Sequence, residues 1–407
     1  MVTKHVVVVG AGPSGCAAAI TLRDNGFDVT MIDKATFPRD KCCGDGLTTG
    51  ALRVLDELGF DPSHVADWQE CSEVIISSPA KRTVEMNLPQ GQGLFAAIAP
   101  RMQLDDALVQ LAKSRGVSVS EGVSFGEVIS NSVDGIEIAV DGYYKPTLCA
   151  DYVIAADGMW SPVRRAVNAN IPSYLGEWHA FRQYFSNVTG PARSQLFVWF
   201  EPDLLPGYAW SFPLPDGRVN VGFGVLRTDD MSVQYMKRIW NELWSRPHIA
   251  RALGPGVTPQ DRHTAWPIPA RVTDANHSAG RILFVGDAVC VTDTLTGEGI
   301  GQALLSGQLA ARAIIESTEP ADVRARYSQL LRHEFYADHR MSQLLGRALA
   351  RPRLAELALR IVNINDWTRR NFVRWMFEDE PRASLFTPRR WHKKFLSREG
   401  AFVQRVP

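Results

Sequence analysis

Residues 5 to 34 read HVVVVGAGPSGCAAAITLRDNGFDVTMIDK, and this stretch restricts the fold more than any other in the chain. Val6 to Val9 form a β-branched run suited to a strand buried on both faces, and Gly10, Gly12 and Gly15 follow as G-x-G-x-x-G. Cys16 to Arg23 has the small-residue pattern of a helix, and a second strand over Asp28 to Ile32 ends at Asp33. Each part has a physical task. The glycines permit a tight turn and a close approach of pyrophosphate to the backbone. The helix N-terminus supplies N–H donors and positive potential, and the acid meets a ribose hydroxyl. Strand, glycines, helix, strand and acid occur here in that order, which predicts a dinucleotide-binding βαβ unit rather than a glycine-rich turn without a ligand. Gly10, Gly12, Pro13, Ser14, Gly15, Asp33 and Lys34 are its expected contacts.

Two later segments bear on which dinucleotide is bound. YVIAADGMWSPVRR, residues 152 to 165, is a buried strand running into Asp157 and Gly158. RILFVGDAVCVTDTLTGEGIG, residues 281 to 301, is another, ending in Gly286 and Asp287 before a glycine-rich loop opens a helix over Ile300 to Glu316. With APRMQLDDALVQLA at 99 to 112, the pattern resembles the flavoprotein monooxygenase and reductase superfamily built like para-hydroxybenzoate hydroxylase, over about residues 5 to 315.

The resemblance implies FAD. It places Asp33 on the adenosine ribose, Arg101 beside the adenine-side ribose and phosphates, and Asp287 near the ribityl chain and pyrophosphate. Asp157 and Gly158 fall near both dinucleotide and pyridine nucleotide, and Arg39 and Gly286 join the cofactor set. Independently of that resemblance, Gly297, Gly299 and Gly301 leave the backbone bare for a flat ring. The helix start at Ile300 offers unpaired N–H groups to a negatively charged flavin edge.

Residues 206 to 224, PGYAWSFPLPDGRVNVGFG, predict an antiparallel hairpin that turns at Asp216-Gly217 and carries Tyr208, Trp210 and Phe212 on one face. Together with KCCGDGL at 41 to 47, this resembles the geranylgeranyl reductase family, flavoenzymes that hydrogenate isoprenoid double bonds. The family signature is P-x-x-Y-x-W-x-F-P; here Pro206 stands two residues before Tyr208 rather than three, while Tyr208, Trp210, Phe212 and Pro213 keep their spacing. The resemblance places Cys43, Gly44, Asp45 and Gly46 beside the isoalloxazine.

Saturating an isolated alkene requires a hydride and a separately delivered proton from an oriented acid. Cys43 is the candidate donor and Asp45 the fallback, with a thiol that merely fills space as the alternative for Cys43. Tyr208 and Trp210 complete the candidate catalytic set as residues lining an apolar tunnel for the prenyl chain, the alternative being the core side of a sheet packed on the flavin domain, and Phe197, Trp199 and Phe200 are expected to extend the apolar wall. Cys42 has no required role, and a bridge to its neighbour Cys43 would strain the intervening peptide.

Composition excludes other classes. The 44 basic and 44 acidic side chains cancel, which leaves no overall field to recruit nucleic acid. Six unevenly spaced cysteines fit a reduced compartment rather than a disulfide scaffold, and nine scattered histidines offer no metal spacing. There is no nucleophile elbow and no P-loop lysine. The apolar run at the N-terminus is too short for a signal peptide or a span, so a cytoplasmic chain is expected.

The sequence therefore predicts an α/β (α+β) fold in three parts. A Rossmann-like FAD-binding domain comprises 1–70, 100–165 and 275–315, and an inserted antiparallel-sheet substrate domain comprises 71–99 and 166–274. A C-terminal helical region over 316–407 completes the chain. From Arg324 onward that region carries 18 Lys or Arg against 8 Asp or Glu, with Trp367, Trp375 and Trp391 interleaved. Such a surface suits peripheral contact with the inner face of an anionic membrane, the alternative being a solvated cap. The expected activity is FAD-dependent hydrogenation of isolated C=C bonds in a polyprenyl chain, on a geranylgeranyl lipid or a prenylated quinone such as menaquinone. Electrons would come from NAD(P)H or from a reducing partner protein. The alternatives are an FAD-dependent monooxygenase or halogenase acting on an aromatic or carrier-tethered substrate, and an FAD-stabilised redox-sensing module.

Overall fold

Val6 to Val9 lie in the interior of a six-stranded sheet. Its order is Ser278–Ala279, Ile282–Phe284, Tyr152–Ala155, His5–Val9, Asp28–Asp33, Ser118–Glu121, and every pairing is parallel except that of the edge pair Ser278–Ala279. The central strands His5–Val9, Tyr152–Ala155 and Ile282–Phe284 are nearly all apolar because both faces are covered, and each fully buried valine contributes on the order of 1.5–3 kcal/mol. This computed structural model describes residues 4–88, 94–228 and 233–391. Residues 1–3, 89–93, 229–232 and 392–407 of the expected segments lie outside the described residues.

The helix Pro13–Asp24 packs against the 17-residue helix Ile300–Glu316. Their approach is close enough that a Cβ on Gly307 would stand 2.1 Å from the Ser14 carbonyl oxygen. An antiparallel meander of Ser124–Asn131, Ile136–Asp141 and Thr147–Ala150 sends Ile136, Ile138, Val140 and Leu148 into the same core.

The second large sheet has eight strands and contains the predicted hairpin, Tyr208–Pro213 paired with Val219–Leu226. Trp178–Ser186 flanks it on one side, and Leu196–Trp199, Glu73–Ser77 and Thr83–Asn87 follow on the other. Alternation along these strands gives the sheet two characters. Phe181, Phe185, Phe223 and Val221 face a core covered by helices Val233–Leu243 and Pro247–Leu253. Arg182, Tyr184, Asn220, Trp210 and Phe212 face the first domain. Phe197 and Trp199 stack on each other inside the covered core, with ring centroids 5.3 Å apart. Phe200 packs against a third core. None of the three extends the cavity wall: the parity of this strand points Phe197 and Trp199 to the opposite face from Trp210.

Helices Pro320–Leu331, Ala337–Leu349, Pro352–Val362 and Asp366–Met376 form the C-terminal region. Leu344, on Ala337–Leu349, is 61% exposed. Among the described residues no helix is long and apolar enough to cross a membrane, and no His, Cys, Asp and Glu cluster could hold a metal ion.

Candidate active site

A cavity of about 820 Å³ runs from the glycine loop to the aromatic strand. At its first end the loop has no space for side chains: a Cβ at Gly10 (φ +105°) would lie 2.3 Å from the Ala156 carbonyl oxygen. At Gly15 it would lie 1.9 Å from the Gly10 carbonyl oxygen. Gly15 therefore brings helix and strand together and lies outside the cavity wall, while Gly10, Gly12, Pro13 and Ser14 line it. Gly12 caps the helix without a side-chain hydrogen bond, so the N–H groups of the first turn are open. Asp33 accepts the Ala11 N–H at 2.8 Å through Oδ2 and the Ala35 N–H at 2.8 Å through Oδ1, which fixes the carboxylate at the strand end. Lys34 stands beside it in the wall. Arg39 reaches across to pair with Asp105 at 3.0 Å.

In the middle of the cavity, Asp157 accepts the Val163 N–H at 3.0 Å through one oxygen, while its buried Oδ1 has no partner. Burial raises its pKa, and Gly158 (φ +80°) leaves the neighbouring space empty. Asp287 is held by Lys41 at 3.0 Å. Gly286 lies behind it, against Ser14, and donates its N–H to the Ser306 hydroxyl at 2.9 Å; its role is packing. At the far end Gly297 (φ +71°) has no atom near an added Cβ, and Gly299 begins the long helix with no side-chain cap. Ile300 lines the cavity, whereas Gly301 packs on Ala51 and faces a different one.

Two uncapped helix starts, an acid fixed at the strand end, glycine-bared walls and a partnerless carboxylate oxygen all fit FAD. Asp33 and the glycine loop would hold its adenosine and pyrophosphate, and Gly297 to Ile300 would meet its ring system.

The loop of residues 40 to 46 crosses from this cofactor side onto the aromatic strand. Cβ atoms added at Gly44 and Gly46 would lie 3.3 and 3.1 Å from Phe212, so these glycines let the backbone lie against the ring. Polar groups fasten the loop to the sheet. Arg182 donates to the Cys43 carbonyl at 3.1 Å and to Asp40 at 2.8 Å; Asn220 donates to the Cys43 carbonyl at 3.0 Å and to Asp45 at 2.7 Å. Trp210 donates its indole N–H to Asn220 at 3.1 Å, and Gly222 makes room for that indole.

Asp45, the fallback acid, is fully buried and absent from the cavity wall. It sits at φ +66° and accepts the Tyr184 hydroxyl at 2.5 Å and the Arg101 N–H at 3.2 Å in addition to Asn220. With its oxygens committed to donors, it braces the loop and does not face a substrate.

Cys43 does line the cavity, as do Tyr208, Trp210 and Phe212. Burial pushes the Cys43 thiol up to about 11, against the opposing effect of Arg101, so it carries its proton at neutral pH. Arg101 is buried, bidentate to Asp105 at 2.6 and 2.7 Å, and its charge acts on Cys43. All six cysteines are free, and Cys42 lines the wall near Thr264. Tyr208 donates its hydroxyl to the Thr296 carbonyl. Trp178, Trp266 and Ile268 add apolar surface.

Sequence reading alone did not identify Arg182, Tyr184 and Asn220, which come from two strands and carry no motif. It also passed over Glu298, although TGEG had been singled out for its glycines. Glu298 lines the cavity, and burial with neighbouring carboxyls pushes it up to about 8.

Comparison with known proteins agrees with this geometry. The profile of the FAD binding domain family matches residues 3–319. A menaquinone reductase of Mycobacterium tuberculosis is 30% identical over 380 residues, covering 86% of this chain and 85% of that protein. A digeranylgeranylglycerophospholipid reductase of Methanopyrus kandleri is 29% identical over 341 residues, covering 81% and 86%. The crystal structure of a geranylgeranyl bacteriochlorophyll reductase-like protein from Thermoplasma acidophilum superposes with a TM-score of 0.75 at 23% identity, over 93% of this chain and 97% of that one. The chain thus belongs to the FAD binding domain family and is an FAD-dependent oxidoreductase of the geranylgeranyl reductase type.

Proposed function

We propose that this protein hydrogenates isolated C=C bonds of a polyprenyl chain, on a prenylated quinone such as menaquinone or on a geranylgeranyl lipid. The observation that carries this reading is Cys43: a thiol kept protonated by burial, immobilised between a glycine-bared loop and an aromatic wall. When bound and reduced, the flavin supplies the hydride. Cys43 delivers the proton to the other alkene carbon, and Trp210 and Phe212 hold the chain against it while excluding water. Arg101 stands close enough to stabilise the thiolate left behind. The names of the reductase relatives support the substrate class. Reductant arrives as NAD(P)H or through a protein carrier.

A long prenyl substrate resides in lipid, and we infer peripheral membrane contact through the C-terminal helices. Leu354, Leu357, Ile361 and Ile364 form an exposed stripe on helix Pro352–Val362 and just beyond it, with Trp367 63% exposed nearby. Arg347, Arg351, Arg353 and Arg360 are exposed along the same segment, which suits anionic headgroups.

The test is anaerobic: dithionite-reduced holoenzyme is mixed with prenylated menaquinones and geranylgeranyl lipids, and flavin reoxidation is recorded with product mass. Reoxidation with a gain of two hydrogens is expected. Reoxidation only on admitting oxygen, with oxygen or halide incorporated, would assign the protein to monooxygenase or halogenase chemistry instead.

A further inference from the structure

Glu298 lies in the turn before the long helix, in the wall of the cavity that also holds Cys43 and Tyr208. The turn is closed by its own backbone: the Asp293 N–H donates to the Glu298 carbonyl at 2.9 Å and the Gly297 N–H to the Asp293 carbonyl at 3.1 Å. Asp293 is well supplied with donors. Its Oδ1 accepts the N–H groups of Leu295 and Thr296 at 3.0 and 2.8 Å, and its Oδ2 accepts the Ser342 hydroxyl at 2.6 Å. With Arg382 nearby, these hold its carboxyl below the usual range despite burial. Glu378, from the C-terminal segment, accepts the Thr48 hydroxyl at 2.7 Å and the Gln302 amide. Among the described residues no group donates to the Glu298 carboxyl.

Arg382 lies 3.9 Å from Glu378 and its charge also acts on Asp293 and Glu298, while Arg53 acts on Glu378. Asp293 has the donors to remain ionised, and Glu378 has two neutral donors. Glu298 has none: with Glu378 and Asp293 beside it, its carboxyl favours the protonated form, and burial raises Glu378 in the same direction. The groups that face Glu298 electrostatically are Asp293 on its own turn, Glu378 and Arg382 from the C-terminal segment, Cys43 from the 40–46 loop and Tyr208 from the aromatic strand.

The cluster also divides two cavities. Asp293, Glu378 and Arg382 line a second cavity of about 740 Å³, which reaches the surface at the exposed Arg312 and Arg389; Thr292 lines both cavities. We propose that Glu298 is the proton reservoir for Cys43, refilled from the second cavity through the Asp293, Glu378 and Arg382 cluster. This rests on the reductase reading of the site. In each turnover the Cys43 S–H bond breaks as a C–H bond forms on one alkene carbon, the hydride having gone to the other. The Glu298 O–H bond then breaks as the S–H bond reforms, and water in the second cavity returns a proton to the carboxylate.

The experiment compares wild-type and Glu298→Gln holoenzymes with a polyprenyl menaquinone in detergent under anaerobic conditions. Glu298 holds its proton below about pH 8, so wild-type turnover falls as pH rises through that value. In FAD-loaded Glu298→Gln the steady-state rate falls by about tenfold or more relative to that variant's own first turnover, which an already protonated Cys43 serves, and the alkaline limb disappears. Glu378→Gln removes a neighbouring negative charge and moves the limb to lower pH. It decides the matter if Glu298→Gln loses FAD. Without substrate, infrared difference spectra of the wild type show a protonated-carboxyl band that titrates near pH 8 and is missing in Glu298→Gln. Unchanged steady-state turnover and pH profile in an FAD-loaded Glu298→Gln would overturn the relay while leaving the reductase reading intact. A wild type that transfers two hydrogens to no prenyl substrate removes both.

Discussion

Replacing Cys43 with alanine separates its two roles by magnitude. As a packing group, the sulfur is one heavy atom in a half-buried position, and its loss costs about 1 kcal/mol, a factor of about five in any rate it influences. As a positioned general acid it contributes on the order of 10²–10⁴-fold, or about 3–5 kcal/mol of transition-state stabilisation. The two ranges do not overlap. The loop geometry should survive the substitution, because the Arg182 and Asn220 bonds end on the Cys43 carbonyl rather than on the thiol. Cys43→Ala is therefore expected to bind FAD normally, judged by its visible spectrum, and to transfer hydrogens to a prenyl substrate at least about 100-fold more slowly in anaerobic stopped-flow. Cys43→Ser, with a weaker acid in the same place, should fall between the two. An alanine variant within about fivefold of wild type, or a serine variant at full rate, would refute proton donation by this residue.

Three further outcomes follow from the geometry. Asp33→Ala removes the acceptor of the Ala11 N–H together with the ribose-side carboxylate, and should weaken FAD binding by about 10- to 100-fold in equilibrium dialysis; an unchanged Kd would contradict the assignment. Tyr184→Phe leaves the buried Asp45 short of its 2.5 Å donor at a cost of about 1.5–3 kcal/mol. The urea midpoint should fall with an unchanged slope, and an unshifted midpoint would mean that Asp45 is not a brace. Leu357→Asp with Ile361→Asp should abolish salt-sensitive flotation with anionic vesicles while FAD content and turnover of detergent-solubilised substrate persist. Undiminished flotation would exclude this face as the membrane contact.

What was legible in the sequence, and what was not, divides along the range of the interactions. The glycine loop, Asp33, the helix from Ile300 and the hairpin from Tyr208 are local: each follows from periodicity and from backbone needs that neighbouring residues reveal. The cavity face of Tyr208, Trp210 and Phe212 was readable because a strand alternates. Phe197 and Trp199 show the limit of the same rule, since alternation says which residues share a face but not which face meets the cofactor. Asp45 looked like an acid beside a thiol. Its role is set by Tyr184 and Asn220, 139 and 175 residues away, and no local pattern announces them. Glu298 was hidden differently: its shifted carboxyl owes its character to burial and to Glu378 and Arg382 on a distant segment, which nothing beside TGEG announces.

The 40–46 loop belongs to neither large sheet, yet both hold it. From the substrate side come Arg182, Tyr184 and Asn220; from the cofactor side come the Arg101 N–H on Asp45 and the Asp287 carboxylate on Lys41. The loop that carries Cys43 is thereby tied on both sides, and a shift of one side against the other would strain charge-assisted bonds around it. A scaffold shared by reductases, monooxygenases and halogenases does not itself select a chemistry. With Cys43 as the proposed acid, the selection would rest with the thiol presented at the junction: kept protonated against an apolar wall it would complete an alkene reduction, and its value would depend on how quickly the proton is restored. Loop, aromatic strand and carboxyl cluster would then act as one device, and substitutions in any of the three should be read out as a proton-delivery defect while FAD stays bound.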